Sequence, residues 1–530
     1  MRLLARKIDY KFLQAVLITT LFIALGFILE ENMGRVNEVD ILTFSRQQIN
    51  PQWLQEDWYY NLPAGYRTPF VLIFGSLATQ FGLLFTSIVG RFFGYFLLAI
   101  GLTFLAKQIQ STLLTLLLGM TLFLYVKNDQ GLVAGEWLTR GIEPKVIAYS
   151  FLFIGFGFLL KRFYIWMALF LGLATTFHIL VGGWSVLAVI VFLLLRDRSS
   201  FAEFPNNVCM GLAYFLATLP AIPHIIKQLT LDVPNTIDVS PSFIYVYLRN
   251  PHHLNPLSWS NDWWWELLIY LPIFSLVLVF MSRQRKRLSS QHFDLAILAG
   301  TLMIPFWLGL IVSPFDQEGK FLQYYPFRVG DVLFPLITSF LLISALEKGS
   351  KGIAKKIFIF LGIAVLTVTC VIQGQDFYET FIELKNFPSN PQSVNQEWKE
   401  MCYWIKENTP KDSVFISHPV DGVSFSWLSE RGTIAKYKLM PPSSLPVLEW
   451  YQRLNDLSGD INPWQTQGKR NLNKDDFATA MSEGYQGLTT KQVDTLMVKY
   501  KANYAVTNAQ HKLNFPIIHK NSRYLLYQKK

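Results

Sequence analysis

Phe12 to Leu29 is a run of eighteen residues with no ionisable side chain. About 20 such residues, coiled as a helix, cross the hydrocarbon core of a bilayer. Comparable runs recur at about 88–106, 110–126, 145–160, 163–179, 180–195, 207–226, 263–281, 293–312, 329–346 and 355–373. Charged residues are 16% of the chain, against about 25% in a soluble domain, and the deficit is concentrated in these runs. They define a polytopic α-helical membrane protein with about 11 transmembrane helices.

The net charge of +10 does not point to nucleic acid. The basic residues sit in short clusters between apolar runs: Arg2, Arg6, Lys7 and Lys11; Lys161 and Arg162; Arg196 and Arg198; Arg283 to Arg287; Lys348 to Lys356. Such clusters mark cytoplasmic loops. The first apolar run has a basic start but ends in Gly-Phe-Ile-Leu-Glu-Glu, without a small-x-small cleavage site, and reads as an uncleaved first helix. Of the three cysteines, Cys209 and Cys370 fall in apolar runs and Cys402 is alone in the polar C-terminal region, so neither a disulfide nor Cys metal-ligand spacing is expected there.

Parity then orders the loops. With the N-terminus and Lys161-Arg162 both cytoplasmic, an odd number of crossings separates residue 30 from residue 161. Residues 69–86, interrupted by Gly75, Gln80 and Gly82, are therefore expected to lie along the outer surface rather than cross. Outer loops fall near 30–87, 127–144, 227–262 and 313–328, in a membrane domain of residues 1–374. Trp263-Trp264-Trp265 reads as an interfacial belt. Eleven crossings leave residues 375–530 outside as a small α/β domain. Helices are expected there at 393–408, 443–458, 474–485 and 490–500, and strands at Ser413–Ser417 and Tyr504–Thr507.

The outer loops hold the candidate chemistry. Residues 30–69 carry six carboxylates, among them Glu38, Asp40, Glu56 and Asp57, and the last two run straight into Trp58-Tyr59-Tyr60-Asn61. The second loop offers Asp129, Glu136 and Glu143. Carboxylates from two loops can share a divalent cation, Mg or Mn, or one can act as general base toward a hydroxyl; each can also simply be a wetted loop residue. Arg328 follows Tyr325-Pro326-Phe327 at an expected helix start, where a guanidinium can hold a lipid-linked phosphate or pair with Asp331 at i,i+3. His178 lies where two spans meet on the outer side. No phosphate-cradling glycine loop is present, which argues against an ATP-driven pump.

At these residues the layout resembles the GT-C superfamily of membrane glycosyltransferases. Glu56-Asp57-Trp-Tyr-Tyr-Asn61 is similar to that family's acidic, aromatic first-loop motif, Asp129 and Glu136 stand where a second acidic motif belongs, and Tyr325-Pro-Phe-Arg328 resembles a carrier-phosphate arginine. The Trp-Trp-Asp signature of oligosaccharyltransferases is absent. The resemblance also extends to uncharacterised bacterial membrane proteins of the same layout. It implies transfer of a sugar from a polyprenyl-phosphate donor to an acceptor on the extracytoplasmic face, in a bacterial inner membrane. By implication Asp57, with Glu56, deprotonates or orients the acceptor and Arg328 holds the donor phosphate. Two other readings stay open: a transporter or flippase for a lipid-linked or anionic substrate, and a non-catalytic envelope protein whose outer domain binds a partner.

Overall fold

The computed structural model describes residues 9–29, 37–127, 130–198, 204–230, 239–385, 396–459 and 474–529. Each apolar run becomes helix: α1 (Tyr10–Phe27), α4 (Leu83–Gln108), α5 (Leu113–Met120, continued as a wider turn to Val126), α6 (Pro144–Leu160), α7 (Tyr164–Phe177), α8 (Ile179–Arg196), α9 (Phe204–Thr218), α10 (Asn261–Arg283), α11 (Ser290–Leu302) with α12 (Ile304–Val312), α13 (Arg328–Gly349) and α14 (Gly352–Lys385). Among the described residues, seven helical stretches are long and apolar enough to cross a membrane, and three shorter apolar ones accompany them. The protein is a polytopic helical membrane protein. Helix α13 is the most buried of the long spans and α14 the least, so α13 is the axis on which the bundle packs. Phe340 of α13 sits where a side chain on Gly119 of α5 would have to go.

The first loop is itself folded. Its helices α2 (Glu38–Ile49) and α3 (Thr68–Phe81) pack together around Leu42, Phe44, Tyr60, Phe70 and Phe74. Helix α3 has 14 residues, about 21 Å at the helical rise, short of the roughly 30 Å hydrocarbon core. It breaks at Gly82, whose φ of +83° continues no helix. A helix thus forms in the expected stretch, over Thr68–Phe81 rather than the whole of 69–86.

Contacts sort the loops onto two ends. At one end Lys107 pairs with Asp9 at 2.6 Å, and Arg162 and Arg196 both reach Asp294, at 3.1 and 2.7 Å. At the other, Glu38 of the first loop accepts from the Ile142 N–H of the second, His253 of the third binds the Ala134 carbonyl of the second, and Ser242 Oγ of the third donates to the Glu318 carbonyl of the fourth at 2.7 Å. The four loops that parity groups together meet on one face.

The C-terminal domain covers that face. Helix α14 runs to Lys385, past the residue-374 boundary expected from sequence. Helices α15 (Gln396–Asn408), α16 (Ser444–Leu457), α17 (Lys474–Gln486) and α18 (Thr490–Lys499) match the expected ones. They surround a five-stranded sheet of order β2-β1-β3-β5-β4, with β1 Val414–Ile416, β2 Gly432–Thr433, β3 Tyr504–Asn508, β4 Ile517–Lys520 and β5 Tyr524–Gln528. Strand β1 pairs in parallel with β2 and β3, and β5 runs antiparallel to β3 and β4. Leu439 inserts into the first loop's apolar core, and the Tyr437 hydroxyl donates to the Leu248 carbonyl of the third loop at 2.9 Å.

Candidate active site

The four loops and the C-terminal domain enclose a cavity of about 980 Å³. Its floor is set by a single carboxylate of α13. Asp331 Oδ1 accepts from the backbone N–H of Leu132, Val133 and Ala134 at 2.9, 2.8 and 3.1 Å, and Oδ2 from Glu136 N–H at 3.2 Å. A side chain at Gly131 would overlap Asp331 Oδ2 and the Glu136 backbone, so only glycine lets the loop wrap this tightly. Asp331 therefore does not pair with Arg328. It shapes the second loop so that Glu136 points inward.

Glu136 is the centre of the resulting charge cluster. Arg328 Nε and Nη2 both reach its Oε1 at 2.9 Å, Lys145 Nζ lies 3.7 Å from its Oε2, and His253 Nδ1 lies 3.9 Å from its Oε1. Burial pushes the Glu136 carboxyl up, but Arg328, Lys145 and His253 outweigh it and hold it at about 2. Burial also brings His253 down to about 4. The ring is neutral near pH 7, with its Nδ1 hydrogen given to the Ala134 carbonyl. Lys145 bridges on to Glu143 at 3.8 Å and stands 3.2 Å above the Trp137 ring; Asn37 holds the other Glu143 oxygen at 3.3 Å. On its far side the Arg328 guanidinium meets His178 Nε2 at 3.1 Å and lies 3.8 Å over the Tyr325 ring. Val181 N–H faces His178 Nδ1 at 3.4 Å. A neutral imidazole has one accepting nitrogen, and the shorter contact assigns that role to Nε2.

Among the described residues, Asp40, on α2, is the first-loop carboxylate that lines the cavity. It accepts from the Tyr59 hydroxyl at 2.8 Å, with Arg67 at 3.9 Å. Burial pushes its carboxyl up, against the opposing pull of Arg67, the Tyr59 hydroxyl, Lys438 and Arg249. A carboxylate with a raised pKa is the better proton acceptor.

The other expected residues have different places. Asp57 is off the cavity and fully buried. Its Oδ2 accepts from Thr433 N–H of β2 at 2.9 Å and its Oδ1 from Tyr60 N–H at 3.1 Å, so it fastens the C-terminal domain to the first loop. Glu56 is exposed beside it, in a separate small groove with Trp58 and Arg453. Glu38 is sealed in a buried ion pair with Arg91 of α4 at 2.8 Å, and Gly141 approaches it so closely that a Cβ would clash with the carboxyl. Asp129 lies outside the described residues. Glu136 and Glu143 face Arg328 and Lys145 rather than each other, and no three His, Cys, Asp or Glu side chains among the described residues gather to hold a metal.

Sequence reading passed over Arg91, Lys145, Arg249 and Lys438. Two of them carried a signal. Arg91 is a charge inside an apolar run, and Lys145 follows Pro144 at a membrane edge, and ionisable groups are costly at such positions. Arg249 and Lys438 lie in polar segments, where a cation carries no such signal.

Fold and cavity together define the class: a polytopic membrane protein whose inter-helix loops and C-terminal α/β domain enclose a charged chamber at one end of the bundle. A family model described as a domain of unknown function (DUF6798) matches residues 396–457, from α15 through α16. No curated protein matches the chain. Among solved structures it is similar to the crystal structure of ArnT from Cupriavidus metallidurans bound to undecaprenyl phosphate, at 12% identity and a TM-score of 0.43, with 97% of each chain covered.

Proposed function

We propose that the protein is a GT-C-like inverting glycosyltransferase that moves a sugar from a polyprenyl-phosphate donor to an acceptor on the extracytoplasmic face. The observation that carries this reading is the convergence of Arg328, Lys145 and Asp40 on one chamber at the end of the bundle. Arg328 and Lys145 bind the donor phosphate, displacing part of their hold on Glu136, and Glu136 keeps both cations charged and aimed. Asp40 takes the proton of the acceptor hydroxyl. The hydroxyl oxygen forms the new bond to the anomeric carbon while the carbon–oxygen bond to phosphate breaks. The electron pair leaves on the polyprenyl phosphate, whose added charge Arg328 and Lys145 stabilise. The C-terminal domain closes the chamber and excludes water, which would otherwise hydrolyse the donor.

The test is label transfer in membrane vesicles supplied with a panel of radiolabelled polyprenyl-phosphate hexoses. Wild type is expected to move label out of the donor lipid, and Asp40→Asn and Arg328→Gln are expected to lose at least 100-fold of that rate while staying folded in the membrane. Transfer at wild-type rate by both variants, or no transfer from any donor by wild type, rejects the reading.

A further inference from the structure

The chamber has a second cationic face that the donor phosphate does not need. Arg249, from the third loop, lines the cavity. Its Nη1 donates to Asn250 Oδ1 at 3.3 Å and its Nη2 to the Lys438 carbonyl at 3.4 Å. Its Nε is enclosed and meets no acceptor, and among the described residues no carboxylate lies within ion-pair distance of it. The guanidinium is 5.0 Å from the Tyr437 ring. Three of the chamber's other cations are placed differently. Arg328 and Lys145 are answered by Glu136 and Glu143, and Arg67 by Asp40. Arg249 has hydrogen-bonding capacity left over in a confined space, where an unanswered charge is costly. Lys438, brought by the C-terminal domain, lines the same cavity, and both Lys438 and Arg249 act on Asp40 electrostatically. Asp40 lines this cavity too, so an anion seated on Arg249 would share the chamber with the carboxylate assigned to the acceptor hydroxyl.

We propose that Arg249 and Lys438 form a second anion subsite, distinct from the Arg328 clamp, and that the acceptor carries a phosphate or carboxylate group that seats there. The two subsites share a wall: Tyr325, under Arg328, meets Tyr245 edge-on at 5.8 Å, and Tyr245, Arg249 and Lys438 line one continuous cavity. Half of the acceptor subsite comes from the C-terminal domain, so that domain selects the acceptor as well as closing the chamber. The word acceptor rests on the transferase reading above; the anion subsite does not.

The full chain in phosphatidylcholine nanodiscs, saturated with polyprenyl phosphate to occupy the Arg328 clamp, is titrated calorimetrically with phenyl phosphate, phenylacetate and neutral benzyl alcohol. Wild type is expected to bind at least one of the two anions and not the alcohol. Arg249→Gln is expected to weaken anion binding tenfold or more, Arg249→Lys to restore most of it, and the exposed-loop control Gln52→Ala to leave it within twofold. Equal binding by wild type and Arg249→Gln overturns the proposal. So do loss on Arg328→Gln with Arg249→Gln unaffected, and failure of wild type to bind either anion. If Arg249→Gln does not fold, Lys438→Gln takes its place, with at least a threefold weakening expected and unchanged binding counting against the subsite. Anion binding that follows Arg249 in a protein that transfers no sugar removes the transferase reading and leaves the subsite standing.

Discussion

Glu136 holds its charge in a place where burial works against it, and it does so because Arg328 and Lys145 are there. Removing one member of a buried ion pair costs about 3–5 kcal/mol, whereas replacing both by apolar groups is often neutral. Glu136→Gln is therefore expected to destabilise the protein by about 3 kcal/mol in reversible detergent unfolding, and Glu136→Leu combined with Arg328→Leu by much less. A single-variant cost below about 1 kcal/mol would show that the pair is not a structural unit. The pH dependence has a defined sign. The carboxyl is held below its ordinary value, so its contribution is complete above about pH 4.5 and fades as the pH falls toward 2. Asp40 is shifted the other way. If it is the base, the acid limb of the pH–rate profile lies above the ordinary carboxylate range, and a limb at or below that range argues for another base. At this scale the sequence offered the right residue types but could not rank them. Asp57 looked the better base because aromatics follow it, yet its partner Thr433 is 376 positions away, and no local pattern reports such a contact.

Elements were far more legible. Spans carry few charges, and helices of the C-terminal domain must bury one face, so both show as composition and period. What escaped were pieces whose structure depends on distant partners: α2, which folds onto α3, and the strands β2, β4 and β5, each completed by pairing rather than by its own pattern. The first loop and the C-terminal domain meet through such pieces. Trp53 Nε1 donates to Glu430 at 3.0 Å, Arg46 stands 4.0 Å over Trp53, and Asp57 holds β2. Asp57→Ala leaves two buried N–H groups unanswered, at about 1–3 kcal/mol each, and is expected to raise hydrogen exchange around Gly432–Thr433 while α13 stays protected. Unchanged exchange there would mean the staple carries no load. Burial raises the Asp57 carboxyl to about 6, so its protonated form favours docking. The stability it contributes is present at low pH and lost as the pH rises through about 6, an effect of about 3 kcal/mol that Asp57→Asn should abolish.

For the molecule as a whole, α13 links the parts. Its first turn presents Arg328 to the chamber, its next residues fix the second loop through Asp331, and its length forms the axis of the bundle. The chamber exists only when four loops and a separate domain are assembled around that helix end, which is why parity could group the loops but not find Arg249 or Lys438 among them. The central claim is that this chamber binds a lipid-linked phosphate at Arg328, and binding of polyprenyl phosphate to the full chain in nanodiscs tests it most directly. Saturable binding by wild type, weakened at least tenfold in Arg328→Gln and unchanged in the exposed-loop control Gln52→Ala, is the predicted result. Binding that is absent in wild type, or equal in wild type and Arg328→Gln, would contradict it.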